Sequence, residues 1–180
     1  MILVTGGTGF VGPRVVHALR AHDLPVRALA RKPEREDTLR NWGVELVQGD
    51  MTDPASLKRA VEGADTIVHL VAIRQGKPEQ FERLMIQGTR DLLAAAKEAG
   101  VERFILMSAL GTTPETKDLV PYYGAKWAEE EDVKASGIPY VIFRPSALIR
   151  MKRCTPASFA AASRSRVPWI ITRSKSFGGP

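Results

Sequence analysis

Short runs of apolar, β-branched residues recur along the chain with room for one helix between successive runs. They fall at Ile2–Thr5, Val26–Ala30, Val44–Val47, Thr66–Ala72, Phe104–Ser108 and Tyr140–Phe143. Each is strand-length and built from residue types that fill a pleated, buried surface. The stretches between them carry helix punctuation. Asp53 followed by Pro54 offers an N-cap and a proline at the first helical position, and Gly100 stands just past AAAKEA, where a left-handed residue closes a helix. Near-continuous apolar strands need cover on both faces, so this alternation predicts an α/β domain over residues 1–146. Its architecture would be three-layer and Rossmann-like, with a doubly wound parallel sheet. No internal repeat interrupts it.

The first strand runs directly into a glycine-rich turn, ILVTGGTGFVGPRVV. Gly6, Gly9 and Gly12 form GxxGxxG, and Gly7, Gly9 and Gly12 also satisfy GxGxxG. Glycine is needed here for a tight turn, for close backbone approach to a ligand and for packing of helix against strand. The free N–H groups at the helix start favour a pyrophosphate. In such sites the end of the second strand selects the cofactor, because a carboxylate there holds a ribose 2′-hydroxyl whereas arginine accommodates a 2′-phosphate. The sequence VRALARKPE supplies Arg31 and Lys32 with no carboxylate before Glu34. NADP(H) is therefore favoured, with NAD(H) as the alternative.

Composition narrows the function classes. The chain has 180 residues, 44% of them hydrophobic, enough for one ordinary domain with its own core. The formal charge of +6 would suggest a nucleic-acid partner, but residues 1–146 hold 19 Lys+Arg against 20 Asp+Glu, while residues 147–180 hold 7 Lys+Arg and no acid. Charges in the body are interspersed, so no nucleic-acid surface is expected. The lone Cys154 cannot form an internal disulfide, and the chain opens at Met1 without a leader pattern or a bilayer-length apolar run; a cytoplasmic, untargeted protein is expected. His17, His22 and His69 lack metal-ligand spacing, so no metal site is expected. Residues 147–180 mix Arg, Ser and Pro without a sustained period. They read as a basic irregular tail, either a truncated or frame-shifted end or an arm for an acidic partner or membrane surface.

Six segments in order, TGGTGFVG, VQGDMTD, ADTIVHLVA, RFILMSALG, YYGAK and IPYVIFRPS, resemble the short-chain dehydrogenase/reductase superfamily in its extended and atypical branches. MSALG and SGIPYVIFRPS are most similar to NAD(P)-binding proteins related to the nucleotide-binding accessory subunit of respiratory complex I. NmrA-like sensors and sugar-nucleotide epimerases are more distant. The resemblance implies that Gly6, Gly9 and Gly12 line the pyrophosphate, that Asp50 meets the adenine, that Ala72 lies along the cofactor ribose, and that Phe10 and Met51 also bind the cofactor. It also implies a catalytic set of Ser108, Tyr122 and Lys126, with Lys126 holding the nicotinamide ribose. Two departures stand out: Met85 occupies a position where the extended branch commonly has asparagine, and after FRPS the pattern of a substrate lobe is missing.

Tyr122 and Lys126 lie one helical turn apart. A lysine charge roughly 5 Å from a phenol, at an effective dielectric of about 20, favours the phenolate by about 3 kcal/mol. In an enclosed cleft Tyr122 would then be an acid/base near neutral pH, with Ser108 bonding the reacting oxygen of a small-molecule substrate. Tyr123, three residues from Lys126, is the competing phenol, and a structural or binding-only pair is the competing role. The function expected is that of an NAD(P)(H)-binding oxidoreductase or epimerase-like protein. The alternative is a non-catalytic accessory or redox-sensing subunit, associated with a respiratory assembly or a second copy of itself.

Overall fold

The computed structural model describes residues 1–146 and 170–173. Six strands lie parallel: β1 (Ile2–Thr5), β2 (Val26–Ala30), β3 (Glu45–Gln48), β4 (Thr66–His69), β5 (Arg103–Met107) and β6 (Tyr140–Arg144). Their order is β3-β2-β1-β4-β5-β6, and β7 (Ile170–Arg173) adds antiparallel to β6. The order reverses between β1 and β4, the position at which ligands of such sheets bind beyond the carboxyl ends. The helices are α1 (Gly12–Ala21), α2 (Asp37–Asn41), α3 (Pro54–Val61), α4 (Pro78–Phe81), α5 (Gly88–Glu98) and α6 (Pro121–Ala135). A π-helical stretch, Glu82–Gln87, joins α4 to α5.

Period-two alternation divides the strands between two layers. Leu3, Ile67, Phe104, Leu106 and Ile142 pack against Leu57, Leu92 and Val133 of α3, α5 and α6. Val4, Ala28 and Val68 face Val16 and Leu39 of α1 and α2. This is the expected three-layer Rossmann-like arrangement. The helix punctuation is also in place: the Asp53 carboxylate accepts from Ala55 N–H at 3.1 Å, and Gly100 has φ +73°.

Three differences from the sequence reading have local causes. β4 ends at His69 instead of Ala72, because after Leu70 N–H donates to Thr5 O the chain leaves the ladder and crosses the strand ends. Ile170–Arg173 is strand where an irregular tail is expected; its consecutive β-branched residues suit an edge position and pair in register with Val141–Arg144. The other tail residues, Cys154 among them, lie outside the described residues. The third difference is α6, whose buried face carries Lys126, Glu129 and Glu130 beside Ala125 and Val133. Its seating depends on charge pairing as much as on apolar contact.

Phe104 is fully buried between the sheet and the α3/α5/α6 layer. Phe104→Ala is expected to lower stability by about 3–5 kcal/mol, read as a lower urea midpoint at unchanged slope.

Candidate functional site

The site begins with the turn after β1. Gly6 has φ +75°, and a Cβ there would lie 2.9 Å from the backbone of Leu70 and Val71. A Cβ on Gly12 would lie 2.3 Å from both Gly6 O and Gly7 O. No side chain fits either position, so the glycines bring α1 directly onto the turn. Gly9 N–H closes the turn on Gly6 O at 3.0 Å. Gly9 itself is open, with only Gly6 O near a built Cβ, at 3.2 Å.

From this turn a cleft of about 520 Å³ extends both ways along the carboxyl ends of the strands, a size suited to a cofactor-scale ligand. Gly6, Gly9, Phe10 and Gly12 form its middle; Arg31, Asp50 and Met51 stand at one end; Ala72, Tyr122 and Lys126 stand toward the other. Asp50 is held by Thr52, whose N–H and hydroxyl both donate to its Oδ1 at 2.9 and 2.8 Å. Arg14 lies over the half-exposed Phe10 ring. Lys32, exposed one residue beyond Arg31, is not on the cleft wall.

The two tyrosines separate clearly. Tyr122 lines the cleft and packs on Phe81, Met85, Leu84 and Ile73. Tyr123 turns its hydroxyl toward Gly111. Lys126, 1% exposed, donates to Met107 O at 2.9 Å and Val71 O at 3.4 Å and pairs with Glu129 Oε2 at 2.8 Å.

Two expectations change here. The Tyr122 phenol is pushed above its ordinary value, first by burial and then by the negative field of Glu129, with Arg74 opposing. This is opposite in direction to the expected acidification, and Lys126 itself is paired with Glu129. Ser108, the expected partner of the reacting oxygen, does not line the cleft. It is buried behind it, its Oγ donating to Glu130 and approaching Thr112, and Glu130 is also gripped by Arg144.

Sequence reasoning missed several residues. Ile73, Arg74, Leu84 and Met107 line the Tyr122 end, and Arg74 could have been suspected from its place just beyond β4. Arg59 shares a second recess with Arg31, Asp50 and Asp53. Glu129 was within reach of the i,i+3 rule once Lys126 was singled out. Among the described residues, no cluster of His, Cys, Asp or Glu has the makings of a metal site, and no helix is long and apolar enough to cross a membrane.

A family model described as NAD(P)H-binding matches residues 6–171. The chain belongs to this family, within the short-chain dehydrogenase/reductase superfamily. Family membership makes a nicotinamide dinucleotide its cofactor, and the glycine cradle fits a pyrophosphate sterically. The chain is 40% identical over 146 residues to the (4-alkanoyl-5-oxo-2,5-dihydrofuran-3-yl)methyl phosphate reductase of Streptomyces griseus, covering 81% of this chain and 47% of that one. It is 34% identical over 143 residues to the photosystem II assembly factor Ycf39 of Cyanophora paradoxa, covering 79% and 44%. A superfamily protein of Agrobacterium tumefaciens solved with bound NAD superposes with a TM-score of 0.66 at 34% identity, covering 80% and 48%. The chain thus spans about half the length of the curated relatives it matches.

Gly9 and Gly12 should respond differently to substitution. Gly9→Val is expected to abolish dinucleotide binding with the far-ultraviolet circular dichroism unchanged, because its side chain would enter the open space expected to hold the pyrophosphate. Gly12→Ala should lower the melting temperature as well, since its Cβ has nowhere to go. Native-like affinity in Gly9→Val would remove the turn from the site.

Proposed function

We propose that the chain is the cofactor-binding part of an NADP(H)-preferring oxidoreductase, with an epimerase-like use of the same groups as the variant reading. The observation that carries this is the continuity of one cleft from the glycine cradle to the Tyr122 phenol. When bound, the nicotinamide supplies hydride chemistry. In this reading the protein's own part is to seat the pyrophosphate on the turn between β1 and α1. It also meets the adenosine with Arg31, Asp50 and Met51, runs a ribose along Ala72, and presents Tyr122 to a small-molecule substrate. Apolar Ile73, Leu84 and Met107 limit water around the phenol, which strengthens any polar contact made there. NADP(H) over NAD(H) rests on Arg31, which stands on the cleft wall at the Asp50 end, where it would offer a 2′-phosphate positive charge.

One observation favours the accessory or redox-sensing reading: the Ser108 proton is committed to Glu130, away from the cleft. In that case the nucleotide would be bound without turnover. The exposed Leu110, Leu119 and Val120, on the approach to α6, would offer an apolar surface to a respiratory assembly or a second copy of the chain. Loss of NADPH fluorescence on adding carbonyl compounds decides for the enzyme; tight binding with no loss across a broad carbonyl panel decides for the accessory.

For cofactor choice, Arg31→Asp is expected to weaken NADPH binding at least tenfold, about 1.4 kcal/mol, with little change for NADH, in fluorescence titrations of both. Equal losses would mean that Arg31 does not read the 2′-phosphate.

A further inference from the structure

Four charged residues stand on the wall of the cleft, Arg31 and Asp50 at one end and Arg74 and Lys126 at the other. Two of them are already committed. Asp50 accepts from the N–H and the hydroxyl of Thr52. Lys126 points inward, donating to Met107 O and Val71 O and pairing with Glu129 Oε2 at 2.8 Å. Glu129 is steadied from behind. Its Oε1 accepts from Thr89 Oγ1 at 3.3 Å, and His69 Nε2 lies 3.1 Å from that same hydroxyl. The Lys126 ammonium holds the Glu129 carboxyl below its ordinary value against the upward push of burial, so a buried anion balances the lysine.

The two arginines are different. Neither Arg31 nor Arg74 has a side-chain hydrogen bond or an ion pair among the described residues, and both are exposed. At the Tyr122 end this leaves one uncommitted charge on the wall, a positive one, with no carboxylate on the wall to oppose it. Its surroundings are apolar. Ile73, Leu84 and Met107 share the wall, and Ile73 and Leu84 join Phe81, Met85 and the Tyr122 ring in one cluster. The segment bearing Arg74 is pinned on both sides, by Leu70 N–H donating to Thr5 O and by Lys77 N–H donating to Gln80 Oε1 at 2.9 Å. The charge is therefore carried on a fixed stretch of backbone and can meet a ligand without giving up a described contact.

We propose that Arg74 is a specificity-determining residue that takes an anionic group of the substrate, which makes the substrate class a largely apolar carbonyl compound bearing a carboxylate or a phosphate. This rests on the oxidoreductase reading and deepens it. A guanidinium presents a planar fork that matches either anion through two parallel hydrogen bonds, and apolar neighbours strengthen a pair formed beside them. A cationic compound would meet repulsion at the same place, so the residue selects against as well as for. The cleft then carries one arginine for an anion at each end, with the glycine turn between them.

The test uses the full chain and three probes of one shape: 4-acetylbenzoate, 4-acetylphenyl phosphate and the neutral 4-acetylbenzamide. Binding is measured by calorimetry in the presence of saturating NADP⁺, which has no hydride to give. The anions are expected to bind more tightly than the amide by roughly tenfold or more. Arg74→Gln, an exchange at an exposed position, is expected to remove that preference while leaving the affinities for the amide, NADPH and NADH unchanged. A preference confined to one anion would support the proposal and tell carboxylate from phosphate. Equal binding of acid and amide would overturn it, as would a preference that survives in Arg74→Gln. Weaker NADPH binding in Arg74→Gln would overturn it as well, by giving Arg74 to the cofactor. The same Arg74-dependent preference is expected without cofactor, so failure of NADP⁺ to bind would count against the cofactor reading and leave this comparison standing.

Discussion

The shape of the cleft depends on how closely α1 approaches the turn after β1. With 2.3 Å between a built Gly12 Cβ and two carbonyl oxygens of that turn, the helix can sit there only because Gly12 has no side chain. The approach brings the start of α1 to the carboxyl ends of β1 and β4, at the point where the strand order reverses. Gly6, with positive φ and the Leu70–Val71 backbone against it, holds the segment after β4 at the same place. The middle of the cleft is thus main chain meeting main chain.

The other end is built on a different principle. α6 presents Lys126, Glu129 and Glu130 to the interior, and each finds a partner on another element. Glu129 is reached from β4 and α5, Glu130 from Ser108 and from Arg144 of β6, and Lys126 from carbonyls after β4 and in β5. Buried charges of this kind contribute little net stability, but leaving any one unpaired is costly. Sliding or rotating α6 by one residue would break all three sets of contacts together. The helix that carries Tyr122 is therefore located more sharply than apolar packing alone would locate it.

Local chemistry explains what could be read in the sequence. The strands were legible because β-branched runs and caps are short-range signals; Asp53, Pro54 and Gly100 do what their positions announce. The glycine turn was legible because steric need for glycine is a property of the residue itself. The end of β4 was misplaced because Leu70–Ala72 is as apolar as the strand before it and is diverted by the cleft. The surroundings of Ser108 and Tyr122 were hidden for a deeper reason: the burial of the phenol and the carboxylates near both residues exist only in the folded chain. Glu130 lies 22 residues from Ser108, and Glu129 is tied to His69 through Thr89, 40 residues away. Spacing exposes a Tyr–Lys pair but gives no sign of how deeply both are buried against Glu129 and the strand ends. The strand at Ile170–Arg173 was obscured by its basic surroundings, although its own residues favour extended backbone.

The contrast between the two ends of the cleft has an evolutionary consequence. Where the wall is backbone, most side-chain exchanges elsewhere leave its shape as it was. Where the wall is side chain, as at Ile73, Arg74, Leu84, Met107 and Tyr122, a few exchanges re-specify what is admitted and what happens to it. The two ends can thus vary independently, one fixed by main chain and the other open to exchange of side chains.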